Sequence, residues 1–419
     1  MNFVDELTGW LQRTWDPTMA LREWWSLLAD EGWSQPHWPV EWFGRGLSIG
    51  ESNEVTRLIR EFGAVTGPPS FATRIAGPVL LVHGTDEQRA RLLPGIVKGT
   101  DSYCQLFSEP NAGSDLAGLQ CRAVHDGESW VVNGQKVWNS RARIASRGML
   151  LARTNVDVPK HAGISYFMVE MVQPGVDVRP LREMTGRSFF NEVFLTDARV
   201  RDEDMIGGAG GGWAVANTTL SFERAMSGGG EAPATAEAGE FAGNLDRPVG
   251  EFSAREVRDT ATPSSPSQRL IETAQSLGRG DEPVVRDGLA RLYTLERLIA
   301  LNAARSRSLQ LQGRELSGHP NFAKMAENQA VRLGRDLTFE ILGPAGALHE
   351  YDDSLVSSAG PFQVQGTGDL LEVALFSFAP PIMGGSDQIQ RNILGERVLG
   401  LPREPSVDKD VAFRNLVKN

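Results

Sequence analysis

YCQLFSEPNAGSDLAG, residues 103–118, followed at residues 133–140 by NGQKVWNS, decides how the rest of this 419-residue chain is read. Tyr103, Cys104, Leu106 and Phe107 form an apolar run with strand-like propensity. The run breaks at Ser108, Glu109, Pro110, Asn111 and Gly113, a turn-forming string. Such a corner brings backbone N–H groups and small hydroxyls to one place, which suits a flat heterocycle carrying carbonyls and ring nitrogens. On composition alone it fits an ordinary strand–loop corner at least as well.

Outward toward the N-terminus, residues 1 to about 100 carry apolar side chains at helical spacing. Leu21, Trp24, Trp25 and Leu28 share one side of a helix that stops at Gly32. The tryptophan-rich stripe before Phe43 reads as core, since large aromatics at helical spacing fill interiors more often than they face cofactors. Outward toward the C-terminus, residues 103 to about 205 alternate Val, Phe, Ile and Thr with polar residues, and Asn133-Gly134 between apolar pairs predicts a hairpin turn. Gly207 to Gly212 lacks the Lys-Ser or Lys-Thr of a phosphate cradle, so it reads as a flexible joint between sheet and helix. A helix follows over 213–227, on which Ala216, Leu220, Glu223 and Ser227 share a face. A carboxylate on that small, apolar stripe is either a solvated edge residue or a buried group with a task. Residues 228–282 form a long, partly irregular excursion, and helices resume over about 283–311, 321–342, 368–379 and 386–399, the last N-capped by Ser386.

Composition narrows the classes further. A hydrophobic fraction of 41% with 23% charged residues is that of a soluble globular protein, and the length calls for two or three domains. A net charge of -11 argues against a nucleic-acid surface. Cys104 and Cys121 are the only cysteines, which excludes a disulfide scaffold and suits a reducing cytoplasm. The first fifteen residues lack the apolar core of a signal peptide, and no apolar run approaches the roughly 20 residues that span a bilayer. The six histidines show no metal-binding spacing.

Residues 103–118 and 133–140 together resemble the signature of the acyl-CoA dehydrogenase family. HGTDEQRARLLPGIVKGT, residues 83–100, is similar to the family's helix before that signature, and GGSDQIQRNILGERVLGLP, residues 384–402, to its C-terminal flavin-contacting helix. The resemblance implies an α+β fold of three parts: an N-terminal α-helical domain (1–102), a middle antiparallel β domain (103–206) and a C-terminal four-helix-bundle domain (207–419) with the excursion at about 228–282. It implies FAD, contacted by Tyr103, Gln105, Leu106, Ser108, Trp138, Ser140, Ser386 and Gln388. Ser114 falls where the family contacts the CoA portion of an acyl-CoA substrate, and Arg224 matches an arginine beside the active-site helix position.

The implied reaction is α,β-dehydrogenation of an acyl-CoA thioester: a carboxylate takes the α-proton, the β-hydrogen leaves as hydride to the flavin, and an electron-transferring flavoprotein accepts the electrons. Because a thioester α-carbon is a poor acid, its carbonyl oxygen needs fixed donors and the base needs to be desolvated. Many members carry their base in a Tyr-Glu-Gly string where this chain has Met383-Gly384-Gly385. Isovaleryl-type and long-chain members take it from the helix after the β domain, where Glu223 stands here. Gly384 keeps a backbone N–H for the carbonyl and vacates room for the arriving carboxylate. The loss also widens the pocket mouth, which favours a bulky, branched or ring-bearing acyl group. Two elements that reach a neighbour's flavin are altered: no Arg-x-x-Phe-Gly occurs in the C-terminal half, and Gln-x-x-Gly-Gly reads Glu340-Ile341-Leu342-Gly343-Pro344. This matches the division of labour in heteromeric members of actinobacterial steroid side-chain breakdown and points to a related second subunit, with a homotetramer as the other arrangement. Two further readings on the same fold are a non-catalytic partner subunit and a flavin oxidase or hydroxylase.

Overall fold

Among the described residues five α-helices precede the first strand: α1 (Phe3–Thr14), α2 (Leu21–Asp30), α3 (Ile49–Phe62), α4 (Gly77–His83) and α5 (Asp86–Val97). The computed structural model describes residues 2–68, 70–227, 244–252, 265–314, 317–348, 370–405 and 408–416. Two of the helices start on capping boxes, Ser48 with Glu51 on α3 and Thr85 with Gln88 on α5, each satisfying backbone N–H groups of the first turn. The tryptophan stripe is core, as its spacing implies. Trp24 and Trp25 are fully buried among Leu7, Leu28, Val55 and Ile59, and their indole N–H groups donate to the Val65 and Thr66 carbonyls at 2.7 and 2.9 Å.

The strands are β1 (Tyr103–Leu106), β2 (Arg122–His125), β3 (Trp130–Lys136), β4 (Arg147–Arg153), β5 (Ile164–Glu170), β6 (Val176–Pro180), β7 (Asn191–Val200) and β8 (Met205–Ile206). They form one sheet in the order β6-β7-β3-β2-β4-β5-β8, with β1 added beside β4. Most pairings are antiparallel as expected, but β1 runs parallel to β4, and β2 meets β4 at a single parallel bridge. The Asn133-Gly134 hairpin does not form. That dipeptide lies inside β3 at a register shift against β7, and the β2–β3 turn is made instead by residues 126–129, where the Asp126 N–H donates to the Ser129 carbonyl. The reason is a close approach: a Cβ on Gly134 would stand 2.7 Å from Cβ of Cys121.

Helices α6 (Gly212–Ser227), α7 (Pro266–Ser276), α8 (Pro283–Leu311), α9 (His319–Leu342), α10 (Leu370–Phe376) and α11 (Asp387–Ile393) follow, and the chain continues past α11 in a π-helical turn, Leu394–Val398. Leu270 and Ala274 of α7, Val285, Leu289 and Leu292 of α8, and Leu337 and Ile341 of α9 close a common core. The glycine run before α6 joins β8 to that helix, and its second half packs against β5. Gly210 N–H donates to the Ser165 hydroxyl at 3.0 Å, and a Cβ on Gly212 would sit 2.5 Å from the Ser165 carbonyl carbon. Of the excursion, residues 228–243 and 253–264 lie outside the described residues. Its central part, 244–252, docks on the N-terminal helices: Leu21 and Arg22 N–H groups donate to the Arg247 and Leu245 carbonyls, and Val249 is buried beside Trp24. Among the described residues no helix is long and apolar enough to cross a membrane.

Candidate active site

β1 has a two-residue side-chain period, and this divides the signature between two faces. Cys104 and Leu106 point into the cluster shared with Val132, Leu150 and Phe167. Tyr103 and Phe107 join the cluster built with Val215 and Ala216 of α6. Leu106, expected to contact the cofactor, therefore has its side chain turned into the sheet core. Phe107, passed over in the sequence, presents its ring on the α6 side, edge-on to Tyr166 at 5.9 Å. Strict alternation from Tyr103 was the signal for it. The Tyr103 hydroxyl is buried, and burial together with Asp101 pushes its pKa up.

Gln105, half-buried, lies on the α6 side with Tyr103 and Phe107 by the same alternation. Its amide nitrogen is 3.4 Å from Oε2 of Glu223. Glu223 belongs to the face of α6 that carries Val215, Ala216 and Thr219, all three fully buried, and is itself partly buried. The other carboxylate oxygen points at the turn between α10 and α11. A Cβ built on Gly384, whose φ is +63°, would stand 3.4 Å from Glu223 Oε1 and 3.5 Å from Lys324 Cε. Gln105, Glu223 and Gly384 thus meet at one place, with Lys324 beside them.

Buried polar groups of α9 and α11 hold that turn in place. Lys324 Nζ donates to the Pro380 carbonyl at 2.9 Å. Gln390 donates to the Gly384 and Gly385 carbonyls at 3.3 and 3.1 Å and is fixed by Asn321, whose amide donates to its side-chain oxygen at 2.7 Å. Asp387 accepts from Asn328 at 2.6 Å and pairs with Arg332, and those partners hold its carboxyl below the usual range against the opposing effect of burial. Burial pulls the Lys324 pKa down, opposed by the charges of Asp387, Glu223 and Glu327. Burial also pushes the Glu327 carboxyl up to about 7, with Lys324 acting the other way.

Trp138 projects from the turn after β3 with φ +62° and 58% of its surface exposed, backed on one side by the edge of Phe190 at 5.8 Å. The turn is rigid for reasons invisible in the sequence. Val137 N–H donates to the Ser108 carbonyl, Asn139 and Asn191 exchange backbone hydrogen bonds at 3.0 Å, and the Asn139 side chain donates to the Gln105 carbonyl at 2.8 Å. Gln105, Ser108, Trp138 and half-buried Ser140 are thereby tied into one surface. An exposed indole plate on a fixed turn, flanked by an amide and two hydroxyls, fits the planar, hydrogen-bonding ring of a flavin.

Four more residues were expected in the site. Ser114 is exposed beside Asp115, which pairs with Lys160 at 3.1 Å. Ser386 caps α11, its hydroxyl accepting from Ile389 N–H at 3.4 Å, and Gln388 is exposed on that helix. Arg224 continues α6 with its side chain outside the described residues.

Residues 2–100 match the model of the acyl-CoA dehydrogenase N-terminal domain, and residues 104–198 that of the acyl-CoA dehydrogenase middle domain. Acyl-CoA dehydrogenase IpdE1 of Mycolicibacterium smegmatis is 36% identical over 396 residues, covering 91% of this chain and 88% of that protein. Acyl-CoA dehydrogenase FadE26 of Mycobacterium tuberculosis is 29% identical over 90% of this chain and 86% of that one. Among solved structures, the ChsE4-ChsE5 complex from Mycobacterium tuberculosis aligns with a TM-score of 0.62 at 26% identity, covering 96% of this chain and 99% of the matched chain. The chain belongs to the acyl-CoA dehydrogenase family. It is an oxidoreductase of flavoprotein type with the family's helical, β, helical order.

Proposed function

We propose that this chain is the base-bearing subunit of an FAD-dependent acyl-CoA dehydrogenase, with Glu223 taking the α-proton of a bulky, branched or ring-bearing acyl thioester. One observation carries the reading. The Glu223 carboxylate reaches from α6 into the space that a side chain at position 384 would enter. The carboxylate that a substrate needs is supplied by one element, and the room it needs is left by the other. Gly384 contributes its backbone N–H as a donor to the thioester oxygen, and Gln105 orients the base by its amide. Phe107, Tyr166 and Leu220 belong to the apolar cluster on which α6 packs, and this seats the helix that carries the base. Gln105, Ser108, Trp138 and Ser140 would hold the flavin, which supplies the acceptor for the two electrons leaving with the β-hydrogen. An electron-transferring flavoprotein is the next acceptor in this scheme.

The same reading includes a second, related subunit. Arg279 donates to the Glu340 and Ile341 carbonyls at the end of α9, and the string there lacks the glutamine and second glycine of the usual one. ChsE4-ChsE5 is a complex of two chains, and this chain exposes large apolar side chains along α8 and after α11. The test is Glu223→Gln in the assembled, flavin-loaded enzyme. Flavin content stays at the wild-type level, and reduction of the flavin by a ring-bearing acyl-CoA slows by about 10²–10⁴-fold, the usual contribution of a general base. Undiminished reduction would overturn the assignment.

A further inference from the structure

Lys324 is a buried cation that no motif of the chain announces, and it borders the same point above Gly384 as the candidate base. We propose that Lys324 is a positioning residue which holds Glu223 ionised and, through the Pro380 carbonyl, fixes the height of the Gly384 turn. The inference rests on Glu223 as the base.

The geometry supports it from two sides. Lys324 Cε and Glu223 Oε1 flank the same point, 3.5 and 3.4 Å from where a Gly384 Cβ would be, and Lys324 Nζ donates to the Pro380 carbonyl at 2.9 Å. The charged groups around the ammonium come from three helices: Glu223 on α6, Asp387 on α11, and Glu327 and Arg332 on α9 itself. Asp387 is already paired with Arg332 and hydrogen-bonded to Asn328, so its charge is largely committed. Glu327 sits near its own titration at neutral pH, because burial pushes it up to about 7. Gln105, the neighbour of Glu223 from β1, is uncharged. Glu223 is one of the three carboxylates whose charges act on the ammonium, and the one beside Gly384. A nearby opposite charge favours the ionised form of a carboxylate, which is the form that accepts a proton.

The experiment compares Lys324→Gln and Lys324→Arg with wild type in the full chain, assembled and flavin-loaded, and combines Lys324→Gln with Glu223→Gln. The pH midpoint of flavin reduction rises by about 1–2 units in Lys324→Gln and stays close to wild type in Lys324→Arg. In thermal unfolding, the double variant loses less than the sum of the two single variants, since either substitution already removes the pair. A residue that only clamped the Pro380 turn would move neither the midpoint nor the additivity. Lys324→Met, unbranched and close to lysine's length, replaces the glutamine variant if that one does not fold. An unmoved midpoint, or an additive cycle, overturns the inference. Full turnover by Glu223→Gln would overturn the reading of the reaction instead, and the stability cycle would still report whether the two charges are coupled.

Discussion

Lys136 has no exposed surface, and its ammonium lies 2.7 Å from Glu109 and 3.0 Å from the Phe107 carbonyl. Glu109 in turn accepts the N–H groups of Gln120 and Cys121 at 2.7 and 2.9 Å, so this pair ties the signature turn to the sheet behind it. Removing one partner strands a buried charge. We expect Lys136→Met to cost about 3–5 kcal/mol in urea unfolding, and the double change with Glu109→Gln to recover much of it. Nearby, burial pushes the Cys104 and Cys121 thiols up to about 12 and about 11, so neither supplies thiolate at pH 8. Ellman's reagent should leave both unlabelled in the native chain and label both in denaturant. Glu327 is a further group to test at this scale. Its folded pKa of about 7 lies above its unfolded value, so the protonated form favours folding. That favour is fully present below the unfolded carboxylate range, near pH 4.5, and is lost as pH rises through 7. Glu327→Gln should therefore be the more stable protein at pH 8, by roughly 2 °C in Tm, with the difference gone below about pH 4.5.

At the scale of elements, the seat of α6 on β5 fixes where Glu223 stands. The Gly212 Cα lies against the Ser165 backbone so closely that any Cβ would be 2.5 Å from its carbonyl carbon. Gly212→Ala forces the start of α6 away from the sheet. We expect a folded but less stable protein, by about 1–3 kcal/mol, with flavin reduction slowed more than tenfold while flavin content is kept. How much of this was legible in the sequence depends on what fixes each feature. Helix α8 falls where its periodicity puts it, and Ser386 caps α11, because local patterns suffice for both. The Asn133-Gly134 turn was misread because Gly134 answers to Cys121, a contact set by packing between strands. The residues mark Glu223 only as a carboxylate on a small, apolar helical face, and its role as base is what the family resemblance implies. Lys324, Gln390 and Asn139 were not, because each looks like an ordinary polar residue until tertiary contact buries it against a particular carbonyl.

For the whole molecule, the parts are less separable than the three stretches of sequence suggest. Residues 244–252 return to the N-terminal helices, and Arg187, from the loop before β7, pairs with Glu372 of α10. Among the described residues, apolar surface is left uncovered along the C-terminal helices as well as at single positions such as Val40 and Val172. Tyr293, Leu298 and Leu301 lie exposed along α8, and Leu399 and Leu401 follow α11, each with more than half of its surface open. A helix that shows such side chains at spacings of three and five on its outer surface is suited to another helix, not to water. If a related subunit covers α8 and completes the flavin site, assembly and flavin retention should fail together. We expect Leu298→Glu/Leu301→Glu to leave the far-UV spectrum of the chain unchanged and to weaken association with the co-expressed partner by at least about 100-fold, from the cost of burying two carboxylates. Light scattering reads assembly, and the 450 nm absorbance per mole of chain reads flavin retention. A double variant that still forms a flavin-saturated complex would show that α8 is not the partner face. Wild-type chain purified alone as a flavin-saturated, active homotetramer would remove the need for a second subunit altogether.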